Sequence, residues 1–313
     1  MSILSESKES VKKSEPSEKS KPVLDLTLEV MKKRKLQREI IGKTFSYIIL
    51  LIGAVAMVGP FLWMVTTSLK EPSQVFSFQK NWWEEWIPTT FVWQNYLKPW
   101  DAVPFARFYM NSIFIAVCVT AAQVGTSSMA AYAFARLNFP GRDKIFFGYL
   151  ATMMVPGAVT MIPVFILLRY LGWVDSYKAL ILPAAFTAYG TFMLRQFFLT
   201  LPKDLEDAAK IDGCSYVGIF WRIILPLSKP ALATLTTFTF MGTWMNFMWP
   251  LIVLNTHEKF TLPVGLAYFQ SLHHTDWTLL MAASVMMILP ILLVFIFNQR
   301  FFVEGIKLTG IKG

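Results

Sequence analysis

Apolar residues gather into six long runs, at 45–67, 108–134, 145–168, 179–198, 231–254 and 278–301, separated by stretches that carry Pro, Gly, Asp or Lys. Crossing the ~30 Å hydrocarbon layer of a bilayer takes about 20 helical residues, and each run is of that size. Lipid offers no water to open strand edges, so the element these runs predict is the helix, which satisfies its own backbone. The expected fold class is an all-α membrane protein with about six transmembrane helices. Residues 1–24 lack this pattern: they are rich in Ser, Lys, Glu and Pro, have no aromatics, and cannot bury enough apolar surface to offset the entropy of ordering. The predicted organisation is a basic, largely disordered tail over 1–44 and a transmembrane domain over 45–313, interrupted by one long polar loop at 201–230.

Charge sets the orientation. About 22 of the 29 Lys and Arg fall in the tail, the 136–144 segment, Arg195, the 200–230 loop and the C-terminus. The positive-inside rule places that side, and with it both termini, in the cytoplasm. The opposite side holds the loop 69–107 with Trp82, Trp83, Trp86, Trp93 and Trp100, whose simplest role is anchoring at the membrane interface. The net charge of +9 could suggest nucleic acid, but the basic residues flank apolar runs, which topology accounts for. A composition 55% hydrophobic and 16% charged excludes an ordinary soluble core.

Catalytic chemistry finds little support. No G-x-x-x-x-G-K-[ST] run exists to cradle nucleotide phosphates. Cys118 and Cys214 have neither disulfide-framework nor zinc spacing. His273 and His274 are adjacent and would diverge on a helix, and His257 is a lone loop residue. The expectation is a non-catalytic chain with no metal site and no cofactor of its own.

The informative segment is 201–231, LPKDLEDAAKIDGCSYVGIFWRIILPLSKPA, too polar for lipid and too long for a simple turn. A short helix is predicted, with Asp204 as N-cap, Asp207 as acidic partner three residues on, and Gly213 as stop. Leu205, Ala208, Ala209 and Asp212 recur at helical spacing, giving a small, mildly apolar face suited to close docking. This segment resembles the diagnostic cytoplasmic motif of the inner-membrane permeases of ABC importers: E-A-A, three residues, G, nine residues, I-x-L-P. Asp207, Ala208, Ala209, Gly213, Ile223, Leu225 and Pro226 match it. Asp207 stands where the family has Glu, with Glu206 beside it.

Further stretches resemble the carbohydrate branch of that family, sugar and polyol permeases of the maltose-type second-permease kind: AAYAFARLNFPGRDKIF, MMVPGAVTMIPVF, LRQFFLTLPKDLEDAAKIDG and the terminal VEGIKLTGIKG. The resemblance implies a type I permease bundle in the bacterial cytoplasmic membrane. It implies a second permease subunit completing a heterodimer, two ATPase subunits that use ATP and Mg, and an extracytoplasmic solute-binding protein. The substrate implied is a sugar or oligosaccharide, with a polyol or glycerol-phosphate-type solute as the alternative. Glu206, Asp207, Ala208, Ala209, Asp212, Gly213, Ile223, Leu225 and Pro226 are then the expected ATPase-coupling residues, and 310–313 a further candidate contact.

Polar side chains at membrane depth are costly and usually face an interior or an aqueous cavity. Asn111, Thr120, Gln123, Ser127, Thr187, Tyr189, Thr191, Thr237, Thr243 and Asn246 are of this kind. The candidate substrate pathway is Asn111, Gln123, Tyr189, Thr191, Thr243 and Asn246; Gln123 and Asn246 carry amides that can both donate to and accept from sugar hydroxyls. Interhelical hydrogen bonding is the competing role for each. Trp244, Met245 and Asn246 depart from the family's Trp-Asn-acidic pattern. Pro156, Pro163 and Pro250 are expected to kink their spans. A stand-alone secondary transporter is the rival reading, and it would ordinarily place ionisable groups inside the spans.

Overall fold

The computed structural model describes residues 21–76, 82–269 and 275–309. The terminal contact expected at 310–313 and the pair His273 and His274 lie outside them. The chain divides into two units, 1–62 and 63–313. Helix α1 (Lys21–Ser68) contributes nearly all its described residues to the first. Its apolar stretch is exposed all round, Phe45 at 64%, Leu50 at 65% and Met57 at 77%, as a helix whose solvent is lipid would be.

The second unit is built on α2 (Phe105–Arg136). Against it pack α5 (Ala188–Thr200) and α8 (Lys229–Trp244), and α8 in turn packs on α10 (Trp277–Thr309). Small residues allow this close approach: a Cβ at Gly190 would lie 2.6 Å from Ser127 Oγ and 3.2 Å from Leu235 Cδ1. One buried apolar cluster gathers round the N-terminal half of α2, with Phe105, Phe108, Trp244 and Leu262. A second surrounds its C-terminal end, with Tyr132, Leu194, Phe198 and Ile219. The 32 residues of α2 run about 48 Å, so the clusters mark opposite ends of the bundle.

The described residues are helices, turns and loops, as expected. Among the described residues three helices are long and apolar enough to span, or five if each of two bent pairs counts once, rather than six continuous ones. The run at 145–168 is split between α3 (Arg142–Ala151) with its short extension to Met154 and α4 (Gly157–Tyr170), at 98°. Pro156 explains the break: it lacks an N–H and forces Val155 into extended backbone (ψ 116°). The run at 179–198 is broken at Pro183 and at the extended residues Phe186 and Thr187, leaving α5 with 13 residues. In the fifth run, α8 ends at Trp244 and the short α9 (Met248–Val253) follows.

At the N-terminal end of α2 the loops are pinned by polar contacts. Asp175 sits at φ +58°; its carboxylate accepts from the N–H groups of Asn255 and Thr256, each at 2.9 Å, and from Lys259 Nζ at 2.8 Å. Burial alone would raise its pKa, but these hydrogen bonds outweigh it and hold the carboxyl well below the ordinary range.

Candidate functional site

The predicted loop helix is α6 (Asp204–Ile211), but its start differs from expectation. Lys203 is the N-cap, Asp204 is the first helical residue, and no side chain caps the N-terminus. Asp204, Glu206 and Asp207 instead place negative charge in the first turn, where the helix dipole favours it. Asp207 accepts from Lys210 Nζ at 3.0 Å, and this bond raises the lysine pKa. The end is as predicted: Gly213 takes φ +80°, Cys214 N–H bonds Ala209 O at 2.9 Å and Gly213 N–H bonds Lys210 O at 3.0 Å, a Schellman closure.

The faces of α6 are also redistributed. Glu206 (5% exposed) and Ala209 (7%) point inward, while Leu205 (44%), Ala208, Ile211 (87%), Asp212 and Gly213 face out. The outward surface continues through Tyr216, Val217 and Trp221. Ile223, Leu225 and Pro226 fall in α7 (Tyr216–Leu227), whose residues Phe220–Ile224 form a π-helical turn. A π-turn just before Pro226, which cannot donate, accompanies a 79° bend into α8.

The inward carboxylate meets Arg136, the last residue of α2, which sequence reasoning placed only among the cytoplasmic charges. Arg136 Nε lies 3.0 Å from Glu206 Oε1, with both side chains almost fully buried; the N–H points off the line to the oxygen, so the contact is ionic rather than a linear hydrogen bond. Arg136 Nη2 donates to Phe198 O and, at 2.8 Å, to Leu201 O, at the end of α5. A buried acid beside the small-residue motif was the available signal, but its partner is distant in sequence.

The pathway candidates separate into two groups. Asn111 is committed to the framework: its amide donates to Glu258 O (2.8 Å) and Phe260 O (3.0 Å) and accepts from Tyr177 Oη (2.8 Å). Thr191 donates to Thr187 O, at the N-cap of α5, and Thr237 to Ala233 O within α8. Thr120 and Ser127 are buried on α2, Gln123 is half-buried, and Tyr189 is 45% exposed at the start of α5. Thr243 and Asn246 are brought together, lining a cavity of about 260 Å³ with Trp249, Thr261 and Ile115. Asn246 and Trp249 also line an adjoining cavity of about 300 Å³, with Thr160 and Met161. Trp249 was not anticipated; its indole donates to Ala179 O at 3.1 Å, which fixes the ring beside Asn246. Among the described residues no group of His, Cys, Asp or Glu could hold a metal ion.

Residues 123–307, which include α6, α7 and the cavity residues 243–249, match the family model of the binding-protein-dependent transport system inner membrane component. The chain belongs to this family. The permease is 40% identical over 227 residues to the arabinooligosaccharides transport system permease protein AraQ of Halalkalibacterium halodurans, covering 72% of this chain and 81% of the relative. It is 33% identical to the sn-glycerol-3-phosphate transport system permease protein UgpE of Yersinia pestis, covering 84% and 95%. A solved bacterial ABC transporter involved in import of the acidic polysaccharide alginate matches with TM-score 0.75 at 25% identity, covering 84% of this chain and 96% of that one. The permease is thus an inner-membrane transport component of an ABC import system, a conducting rather than a catalytic subunit.

Proposed function

We propose that the permease forms one half of the translocation pathway of an ATP-driven, binding-protein-dependent importer for a sugar or oligosaccharide, and couples to separate ATPase subunits through 201–230. The observation that carries this reading is the outward face of α6: Leu205, Ala208 and Ile211 stand exposed on a helix whose inner face is bolted to the bundle by Glu206. Exposed apolar residues on a small, rigid projection suit a partner cleft. Six membrane crossings follow if each bent pair crosses once and the broken segment 178–200 completes the set; both termini then share one side, which the distribution of Lys and Arg makes the cytoplasm. A second permease supplies the other half of the pathway, a binding protein delivers solute from outside, and ATP with Mg acts on the ATPase subunits, alternating two global states.

The relatives' names support an oligosaccharide, as do an indole ring, an amide and hydroxyls lining the cavities at Asn246. The kinship with UgpE supports a glycerol-phosphate-type solute as the second reading. The test is gentle solubilisation from the native membrane by a tag on the permease and identification of the copurifying chains. The expected result is a Walker-motif ATPase and a second permease, with transport that requires ATP. A permease recovered alone that moves solute in liposomes without ATP would overturn the reading in favour of a secondary transporter.

A further inference from the structure

At the C-terminal end of α2, two arginines tie α2 and α5 together reciprocally. Arg136, on α2, reaches the carbonyls of Phe198 and Leu201 at the end of α5. Arg195, on α5, donates from Nε to Phe134 O near the end of α2 at 3.2 Å, with its guanidinium 4.2 Å above the centroid of the Phe146 ring. Each cation meets carbonyls of a helix C-terminus, where positive charge is favoured; the Phe198 carbonyl accepts from Leu201 N–H as well. Glu206 joins this clasp through Arg136, from the inner face of α6. Tyr132, one turn before Arg136, packs against Phe220 of the π-turn with ring centroids 5.3 Å apart, so the segment after α6 is held to the same helix end.

A buried ion pair between two elements is an expensive way to hold them, since its desolvation must be offset. What it provides is a stiff connection: displacing α6 from Arg136 strands two buried charges, and dragging Arg136 along would break its bonds to the carbonyls of Phe198 and Leu201. We propose that Arg136 is the positioning residue that makes α6, α2 and α5 move as one body, so that a displacement imposed on the outer face of α6 reaches the membrane through α2 and α5 together. The proposal rests on the reading of α6 as the ATPase-docking element.

The test uses the complete transporter in proteoliposomes, comparing wild type with Glu206→Gln and Arg136→Lys. The first keeps shape and removes the charge; the second keeps the charge and removes the fork. The expected result is solute moved per ATP hydrolysed reduced about tenfold in Glu206→Gln, the size of a lost coupling between sites. In parallel, spin labels at Ile211→Cys and Met129→Cys, with Cys118 and Cys214 replaced by Ser, report the distance between α6 and α2 in the otherwise unaltered complex. It is expected to change by less than about 2 Å between ATP-free and ATP-bound states, the scale of a small helix shift. A larger change, or wild-type solute per ATP in both variants, overturns the proposal. Failure of Ile211→Cys to cross-link to any ATPase subunit would bring down the docking reading itself, and the proposal with it.

Discussion

Single residues carry the joints of this permease. Glu206 and Arg136 are both nearly inaccessible to solvent, so removing one strands the other. Glu206→Ala is expected to cost about 3–5 kcal/mol, whereas the double replacement Arg136→Met with Glu206→Leu should recover much of that loss. Thermal unfolding of the detergent-solubilised protein checks both. Asp175 gives a pH-dependent case. Because its folded pKa is depressed, its contribution is fully present above the ordinary carboxylate pKa of about 4 and is lost only as pH falls toward the folded value. Asp175→Asn should therefore lower stability by a similar amount at pH 6 and pH 8, about 1–3 kcal/mol, with the difference shrinking below pH 4. Melting curves of the two proteins across pH measure it.

At the scale of elements, α6 separates two neighbouring alanines that sequence periodicity had put on one face. Ala208 is exposed and Ala209 is buried against the bundle. Ala208→Asp is expected to leave the fold intact and reduce ATPase docking, whereas Ala209→Asp adds a buried charge beside Glu206 and should destabilise α6 itself by about 3 kcal/mol or more. Unfolding and ATPase copurification, measured on both variants, distinguish the two effects. Local signals read well here when the physics was local: Gly213 at positive φ closed α6 as expected, and the apolar runs at 45–67, 108–134 and 278–301 fell on the three described helices long and apolar enough to span. They read poorly where a distant partner decides. The N-cap fell at Lys203 with no side-chain bond, the face of α6 was set by an arginine far along the chain, and Asn111 went to loop carbonyls rather than to a cavity. The prolines promised kinks, and a 98° turn falls at Val155 and Pro156, but its size was not legible in them. Asn246 did reach a cavity, whereas Trp249, its neighbour there, bore no sequence mark that set it apart from the interfacial tryptophans.

For the whole molecule, the expected orientation puts α6 on one side of the membrane and the tryptophan-rich loop on the other. A membrane-impermeant thiol reagent should label Ile211→Cys only in inside-out vesicles and Trp93→Cys only in right-side-out ones, each position being well exposed. Labelling of both from the same side would contradict the arrangement. The long helix α2 links the two ends: its first turns hold the loops at Asn111, and its last residue holds α6. The ion pair at that last residue bears on engineering as well. The 201–230 segment looks like a portable cassette, and an exchange of ATPase specificity between importers would begin by transplanting it. Its recipient must already offer an arginine where Arg136 stands, with α5 carbonyls in reach, or the graft will bind its new motor and leave the gate unturned.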